Sequence, residues 1–183
     1  MKIVDDTIRY DGEHIQLVER GYIGSDGKSH TWEMVRRKVQ GPIVAIAAIT
    51  PDREIVLEKS FRIPLNGFVL ELPAGLMDRA EESEEDAIRR ELLEETGYAV
   101  DDVIPLITGP FNSGLVTDEL SLYAGTNARK VREPVLEGGE EIHVITVPLR
   151  ELMDIMTRHD ELKVDIKTAG IMPLLRHAGL VDF

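Results

Sequence analysis

The chain's 183 residues, 43% of them hydrophobic and 30% charged, suit one soluble domain or one domain with a small appendage. Thirty-four acidic against 21 basic residues leave a formal charge of −13, which sets the surface against nucleic-acid backbones and requires an anionic substrate to be drawn in by local arginines or bound metal. The absence of cysteine excludes disulfides, thiolate metal sites and cysteine nucleophiles. The start (Met1, Lys2, Ile3, Val4, Asp5, Asp6) and the lack of any run near roughly eighteen apolar residues give no leader or membrane span, so a cytoplasmic protein with neither membrane nor nucleic-acid partners is expected.

The first forty residues read as short strands split by turns: Ile3–Tyr10, Asp11-Gly12, Ile15–Ile23, Ser25-Asp26-Gly27, then Thr31–Val39. This is a small antiparallel unit over residues 1–41, with Gly41-Pro42 as the boundary to a main domain at 42–183. Ile43–Ile49 is a continuous apolar run suited to a buried strand, and Ile55–Phe61 alternates less cleanly as the next one. Ser83 with Asp86 three residues on, and Gly97 as the stop, bound a helix over Ser83–Thr96 whose stripe of Ala87, Ile88, Leu92 and Leu93 faces a core. Val103–Ile107, Leu120–Ala124 and His143–Pro148 are further strands, and Leu149–Thr157 and Lys167–Ala178 two closing helices. Strands interrupted by helices argue for a layered α/β fold.

The informative stretch runs from Gly75 to Tyr98. On its helix Glu91 and Glu95 are four apart and Glu94 is three from Glu91, so three carboxylates gather near one face, at a cost of roughly 0.2–0.5 kcal/mol per like-charged pair. A hard divalent cation, which prefers oxygen ligands, would offset that repulsion and help hold phosphates. A solvated face laced with salt bridges, such as Arg90 to Glu94, is the ordinary alternative. The spacing decides between them: the segment resembles the Nudix box, G-x5-E-x7-R-E-U-x-E-E-x-G-U, through Glu82, Arg90, Glu91, Leu92, Glu94, Glu95, Gly97 and Tyr98. It departs in one place, since six residues rather than five separate Gly75 from Glu82. The extra residue is placed in the Asp78–Ala80 loop, which keeps the helix in register.

The resemblance implies a Nudix fold, an α/β/α sandwich with a mixed sheet, beside the N-terminal β unit. It implies Mg²⁺, with Mn²⁺ possible, held by Glu91, Glu94, Glu95 and the Ala74 carbonyl, and a Glu82–Arg90 pair bracing loop and helix. It extends over about residues 20–180 and is closest to the ADP-ribose and ADP-sugar pyrophosphatases. In Ser25–Arg37, Trp32 corresponds to the ring that stacks on adenine and Arg37 to a phosphate contact; an indole face suits a purine and a guanidinium suits phosphate. Lys59-Ser60-Phe61-Arg62 followed by Phe68–Gly75 looks like the run before the box, implying Arg62 as a second phosphate contact, Leu76 as a substrate-lining residue and Glu71 beside the metals. Phe111-Asn112-Ser113-Gly114 lacks the proline of the Ser-Pro-Gly-like run usual in ADP-ribose enzymes. The catalytic base is left between Glu119, which follows that run, and Glu140 in the glycine loop Glu137–Glu141.

The expected activity is cleavage of the pyrophosphate of a nucleoside diphosphate sugar, ADP-ribose first, giving AMP and ribose 5-phosphate. A GDP-mannose or other nucleotide-sugar pyrophosphatase is the alternative within the same architecture. A non-catalytic nucleotide sensor is disfavoured by the intact Arg90, Glu91, Glu94 and Glu95. Three strands without a helix make a poor core of their own, and the enzymes resembled exchange this unit across a two-fold interface, so a homodimer with exchanged N-terminal strands is expected.

Overall fold

The computed structural model describes residues 1–38, 41–79, 81–157 and 162–182. Val39, at the end of one expected strand, and Ala80, in the loop given the extra residue, lie outside them.

Three long strands, β1 (Lys2–Asp11), β2 (Ile15–Ile23) and β3 (Ser29–Arg37), form an antiparallel sheet of their own, in the order β1-β2-β3. The main sheet follows with β4 (Ile43–Ile49), β5 (Glu54–Arg62), β6 (Gly67–Glu71) and β7 (Ala74–Leu76). Helix α1 (Glu84–Thr96) leads through the short β8 (Tyr98–Ala99) to β9 (Val103–Pro110) and β10 (Glu119–Gly125). The short β11 (Arg129–Lys130), β12 (Ile142–Pro148), α2 (Leu152–Thr157), the short β13 (Lys163–Val164), α3 (Ile166–Ala169) and α4 (Ile171–His177) close the chain.

The main sheet is mixed: β4–β10 and β6–β13 are parallel pairs and the others antiparallel. Even-numbered residues of β4 (Val44, Ile46, Ala48) and Val56 of β5 pack with Ala87, Ile88 and Leu92 of α1. The odd-numbered Ala45, Ala47, Ile49, Ile55 and Leu57 pack with Leu152, Met156, Ile171 and Leu175 on the opposite face. The period-2 alternation of side chains thus puts one helical layer on each face, the expected sandwich. A fully buried Ile or Leu at such a position contributes about 1.5–3 kcal/mol.

A fork in this sheet positions the site. One edge of β5 is lined by β12 along its length, whereas the other is shared: β4 takes Ile55 and Val56, then β6 takes Glu58–Arg62. β4 and β5 therefore part after two residue pairs. β7 occupies the vacated edge of β4, pairing Ala74–Leu76 with Ile43–Ala45, and the Ile46 amide donates to the Pro73 carbonyl at 3.0 Å.

Two expected helices differ in detail. Residues Leu149–Glu151 form a 3₁₀ turn before α2, and the stretch expected as one helix over Lys167–Ala178 is divided at Gly170 into α3 and α4. Pro173 has no amide hydrogen to donate to the Ala169 carbonyl, so the helical ladder is interrupted there. The small N-terminal sheet is tied to the main domain through β3, where Val35 bridges Val116 and its amide donates to Leu115 at 2.8 Å.

Candidate active site

The ends of α1 set the direction of every side chain along it. Ser83 Oγ accepts from the Asp86 amide at 3.1 Å, and Gly97, at φ 76°, adopts the left-handed turn that lets its amide close on Leu93 at 3.1 Å. With Ala87, Ile88 and Leu92 against the sheet, Glu95 is turned inward and buried. Its Oε2 accepts from the Ala74 amide at 3.1 Å, which joins the helix to the strand just before the box.

Under Glu95 lie two more buried acids. Glu58 of β5 and Glu71 of β6 are direct cross-strand partners, so their side chains leave the same face of the sheet, the face that carries α1. Glu58 is 1% exposed and hydrogen-bonds Glu95; its Oε1 has no protein partner. Burial pushes both carboxyls well above the usual carboxylate range. Glu71 accepts from Arg62 Nε at 2.7 Å. The sequence reading named Glu71 and Arg62 but missed Glu58. The available signal was the imperfect alternation of β5, whose inward series runs Val56, Glu58, Ser60, Arg62.

Glu91 and Glu94 are oriented by arginines. Arg90 donates to both oxygens of Glu82 at 2.8 and 3.0 Å, to Glu91 at 2.7 Å, to Glu94 at 3.2 Å and to the Leu76 carbonyl at 3.1 Å. The expected Glu82–Arg90 brace is therefore present. Arg79, which no sequence motif singles out, donates to Glu94 at 3.1 Å. These pairings spread the helix carboxylates, and among the described residues no three acidic or imidazole side chains stand together at metal-ligating spacing. The set nonetheless fits a hard divalent cation. Its donors are all oxygens, Glu58 carries an unpartnered buried oxygen, and Gly75 leaves a cradle in which an added Cβ would lie 2.0 Å from the Glu91 carboxyl carbon.

Glu71 also lines a cavity of about 480 Å³, together with Arg37, Arg62, Ala74, Gly75, Leu76, Phe111 and Lys167. Three cations thus face it in a chain of net charge −13. Lys167, which sequence reading did not single out, is paired with Asp165. Arg37 donates to Asp118 through Nε and Nη2 at 3.1 and 3.0 Å. Trp32 is not a core residue: it is 53% exposed, and its indole nitrogen donates to the Gly114 carbonyl at 3.0 Å.

The two candidate bases lie apart. Glu119 begins β10 on the Arg37–Asp118 side, lining a second cavity with Gln16, Arg36 and Lys38. Glu140 belongs to the loop before β12, and its charge acts on Glu58. Its carboxylate accepts from the Glu137 amide at 2.8 Å. The neighbouring Glu141 carbonyl accepts from the Phe61 amide at 2.9 Å, which holds this loop against β5.

A NUDIX domain model matches residues 39–166. The chain is 30% identical to an ADP-sugar pyrophosphatase of Mus musculus over 197 aligned positions, covering 99% of this chain and 90% of that protein. It is 36% identical to a GDP-mannose pyrophosphatase of Pectobacterium atrosepticum, covering 68% of this chain and 65% of that protein. A solved structure described as an ADP compounds hydrolase superposes with a TM-score of 0.80 at 21% identity, over 98% of this chain and 96% of the other. With the box residues on α1, the fork beneath them and these matches in agreement, the chain belongs to the Nudix family.

Proposed function

We propose that the protein is a Mg²⁺-dependent pyrophosphatase that cleaves a nucleoside diphosphate sugar, with ADP-ribose as the preferred substrate and AMP and ribose 5-phosphate as products. The observation that carries this reading is the joining of two charge environments: Glu71, one of the buried acids at the strand fork, lines a cavity faced also by Arg37 and Arg62. Glu91, Glu94, Glu95 and the Ala74 carbonyl would hold the cation, and Mn²⁺ would suit the same oxygens. When bound, the metal supplies charge neutralisation for the phosphates and lowers the pKa of water.

The chain's own residues do the rest. Arg37 and Arg62 present planar guanidinium forks to the phosphate oxygens. Each is held by a carboxylate, Asp118 and Glu71, and so is oriented before substrate arrives. Leu76 forms an apolar wall of the same cavity. Trp32, half exposed and fixed by its indole nitrogen, offers a ring face to the base. Glu140 is the base we favour over Glu119, because its loop sits against β5 and its charge reaches Glu58. A GDP-mannose substrate is the second reading, favoured by the similarity to the Pectobacterium enzyme.

The assembly proposed is a homodimer with exchanged N-terminal strands. Every residue of β1 is exposed in the single chain, including Ile3, Val4, Ile8 and Tyr10, a surface suited to a second copy.

The test is product analysis with ADP-ribose and Mg²⁺. AMP and ribose 5-phosphate should form, and Glu95→Gln should lower turnover by orders of magnitude with the fold kept. Release of phosphate alone, or near-wild-type turnover in Glu95→Gln, would overturn the reading. For the dimer, at ADP-ribose well below the raised KM of Trp32→Ala, a mixture of Trp32→Ala and Glu95→Gln chains should be more active than either chain alone.

A further inference from the structure

We propose that Glu58 is a further carboxylate of the divalent-cation site, placing an oxygen on the ion beside those of Glu95 and the Ala74 carbonyl; this rests on the metal-dependent reading above. The first ground is the position itself. β5 enters the sheet through Ile55, Val56 and Leu57, all fully buried, and an apolar side chain next in line would complete the packing. The residue there is instead a glutamate, 1% exposed, with Oε1 lacking any hydrogen-bond partner. Burying a carboxyl oxygen without a partner is costly, and the cost is offset when the group receives a counter-charge.

The second ground is where that oxygen lies. Glu58 is the cross-strand partner of Glu71 and is in hydrogen-bond contact with Glu95, which is itself anchored to the Ala74 amide. Acids from β5, β6 and α1 are therefore directed to the same fork, although, among the described residues, not at metal-ligating spacing. Arg62 is the cation beside them, and Glu71 already engages it at 2.7 Å. A hard cation requiring six or more oxygens supplies the missing charge. The third ground is Ser60, two residues along the same strand face, whose buried Oγ also has no partner. A hydroxyl in that place can bond a water carried by the ion.

The experiment is Mn²⁺ titration of the 183-residue chain, reading free Mn²⁺ by electron paramagnetic resonance, with the Mg²⁺-induced rise in Tm as a second readout. Wild type is compared with Glu58→Gln, Glu58→Asp and Glu95→Gln, each checked for native circular dichroism. Glu58→Gln should lose one Mn²⁺ or bind it at least tenfold more weakly, and its Tm gain should shrink accordingly. Glu58→Asp, which keeps the charge but withdraws the oxygen, should also bind more weakly, and it carries the test if Glu58→Gln does not fold. Wild-type binding in the Glu58 variants, with binding lost in Glu95→Gln, would overturn the proposal and leave the metal-dependent function standing. Wild-type binding in Glu95→Gln as well would overturn both.

Discussion

Replacing Arg90 with glutamine should destabilise the fold by about 3 kcal/mol at neutral pH, an estimate built from the bonds it makes. The Arg90 side chain is 12% exposed and its partner Glu82 10%, so little of the pair is screened by water. The substitution leaves both oxygens of Glu82 and the Leu76 carbonyl without their donor and removes the charge that Glu91 and Glu94 share. Hydrogen bonds to charged groups contribute about 1.5–3 kcal/mol, and breaking a buried pair from one side costs about 3–5 kcal/mol. The lower end applies, because glutamine can keep one donor in place and the network lies at the lip of the site rather than in its core. For a chain of this size the loss should appear as a fall in Tm of about 6–12 °C. Urea and thermal unfolding in chelator-containing buffer measure it, and a cycle with Glu82→Gln should give a coupling of about 1–3 kcal/mol. A change within about 0.5 kcal/mol, the range of an ordinary surface substitution, would refute the view that this arginine braces loop to helix.

Gly75→Ala should keep the fold while weakening Mg²⁺ binding and turnover, because the new methyl would lie where the Glu91 carboxyl now stands, 2.0 Å from its carbon; unchanged Mg²⁺ affinity would contradict that contact. In chelator, stability should fall as pH rises from about 5 to 8. Glu58 and Glu95 hold their protons more tightly folded than unfolded, so their contribution is complete below the ordinary value of 4.5 and is lost as pH climbs through their raised values. Glu82, held low by its bond to Arg90, runs the other way, giving stability that is lost only as pH drops below that ordinary value. A flat profile of urea unfolding between those limits would contradict the burial of the pair. Trp32→Ala should raise KM about five- to a hundredfold with kcat nearly unchanged, since stacking on a base contributes about 1–3 kcal/mol. An unchanged KM would remove the indole from the site.

Much of this architecture was legible because local chemistry marks it. Ser83 and Gly97 bounded α1 to within a residue, and the resemblance to the Nudix box implied the Glu82–Arg90 salt bridge. The apolar run over Ile43–Ile49 correctly announced a strand buried on both faces. What stayed hidden depends on neighbours distant in sequence. Glu58 reads as a flaw in a strand until β6 and α1 are folded against it, and Arg79 reads as a surface cation until the box loop returns to Glu94. Helix spacing alone groups Glu91, Glu94 and Glu95. The arginines around them, and the amide of Ala74, decide where each carboxylate points. The break before α4 was missed, although Pro173 carried a signal for it: its missing donor outweighs the amphipathic pattern around it.

If the acids of the strand fork and the cations of the adjoining cavity together cut the pyrophosphate of a nucleoside diphosphate sugar, kcat/KM across a substrate panel in Mg²⁺ will rank such sugars first. The panel should contain ADP-ribose, GDP-mannose and several nucleoside triphosphates, with products identified for each. ADP-ribose should give the highest value, with AMP and ribose 5-phosphate as products. The highest value for GDP-mannose would replace the adenine assignment while keeping the reaction, and the highest value for a triphosphate would rule out a nucleotide-sugar pyrophosphatase.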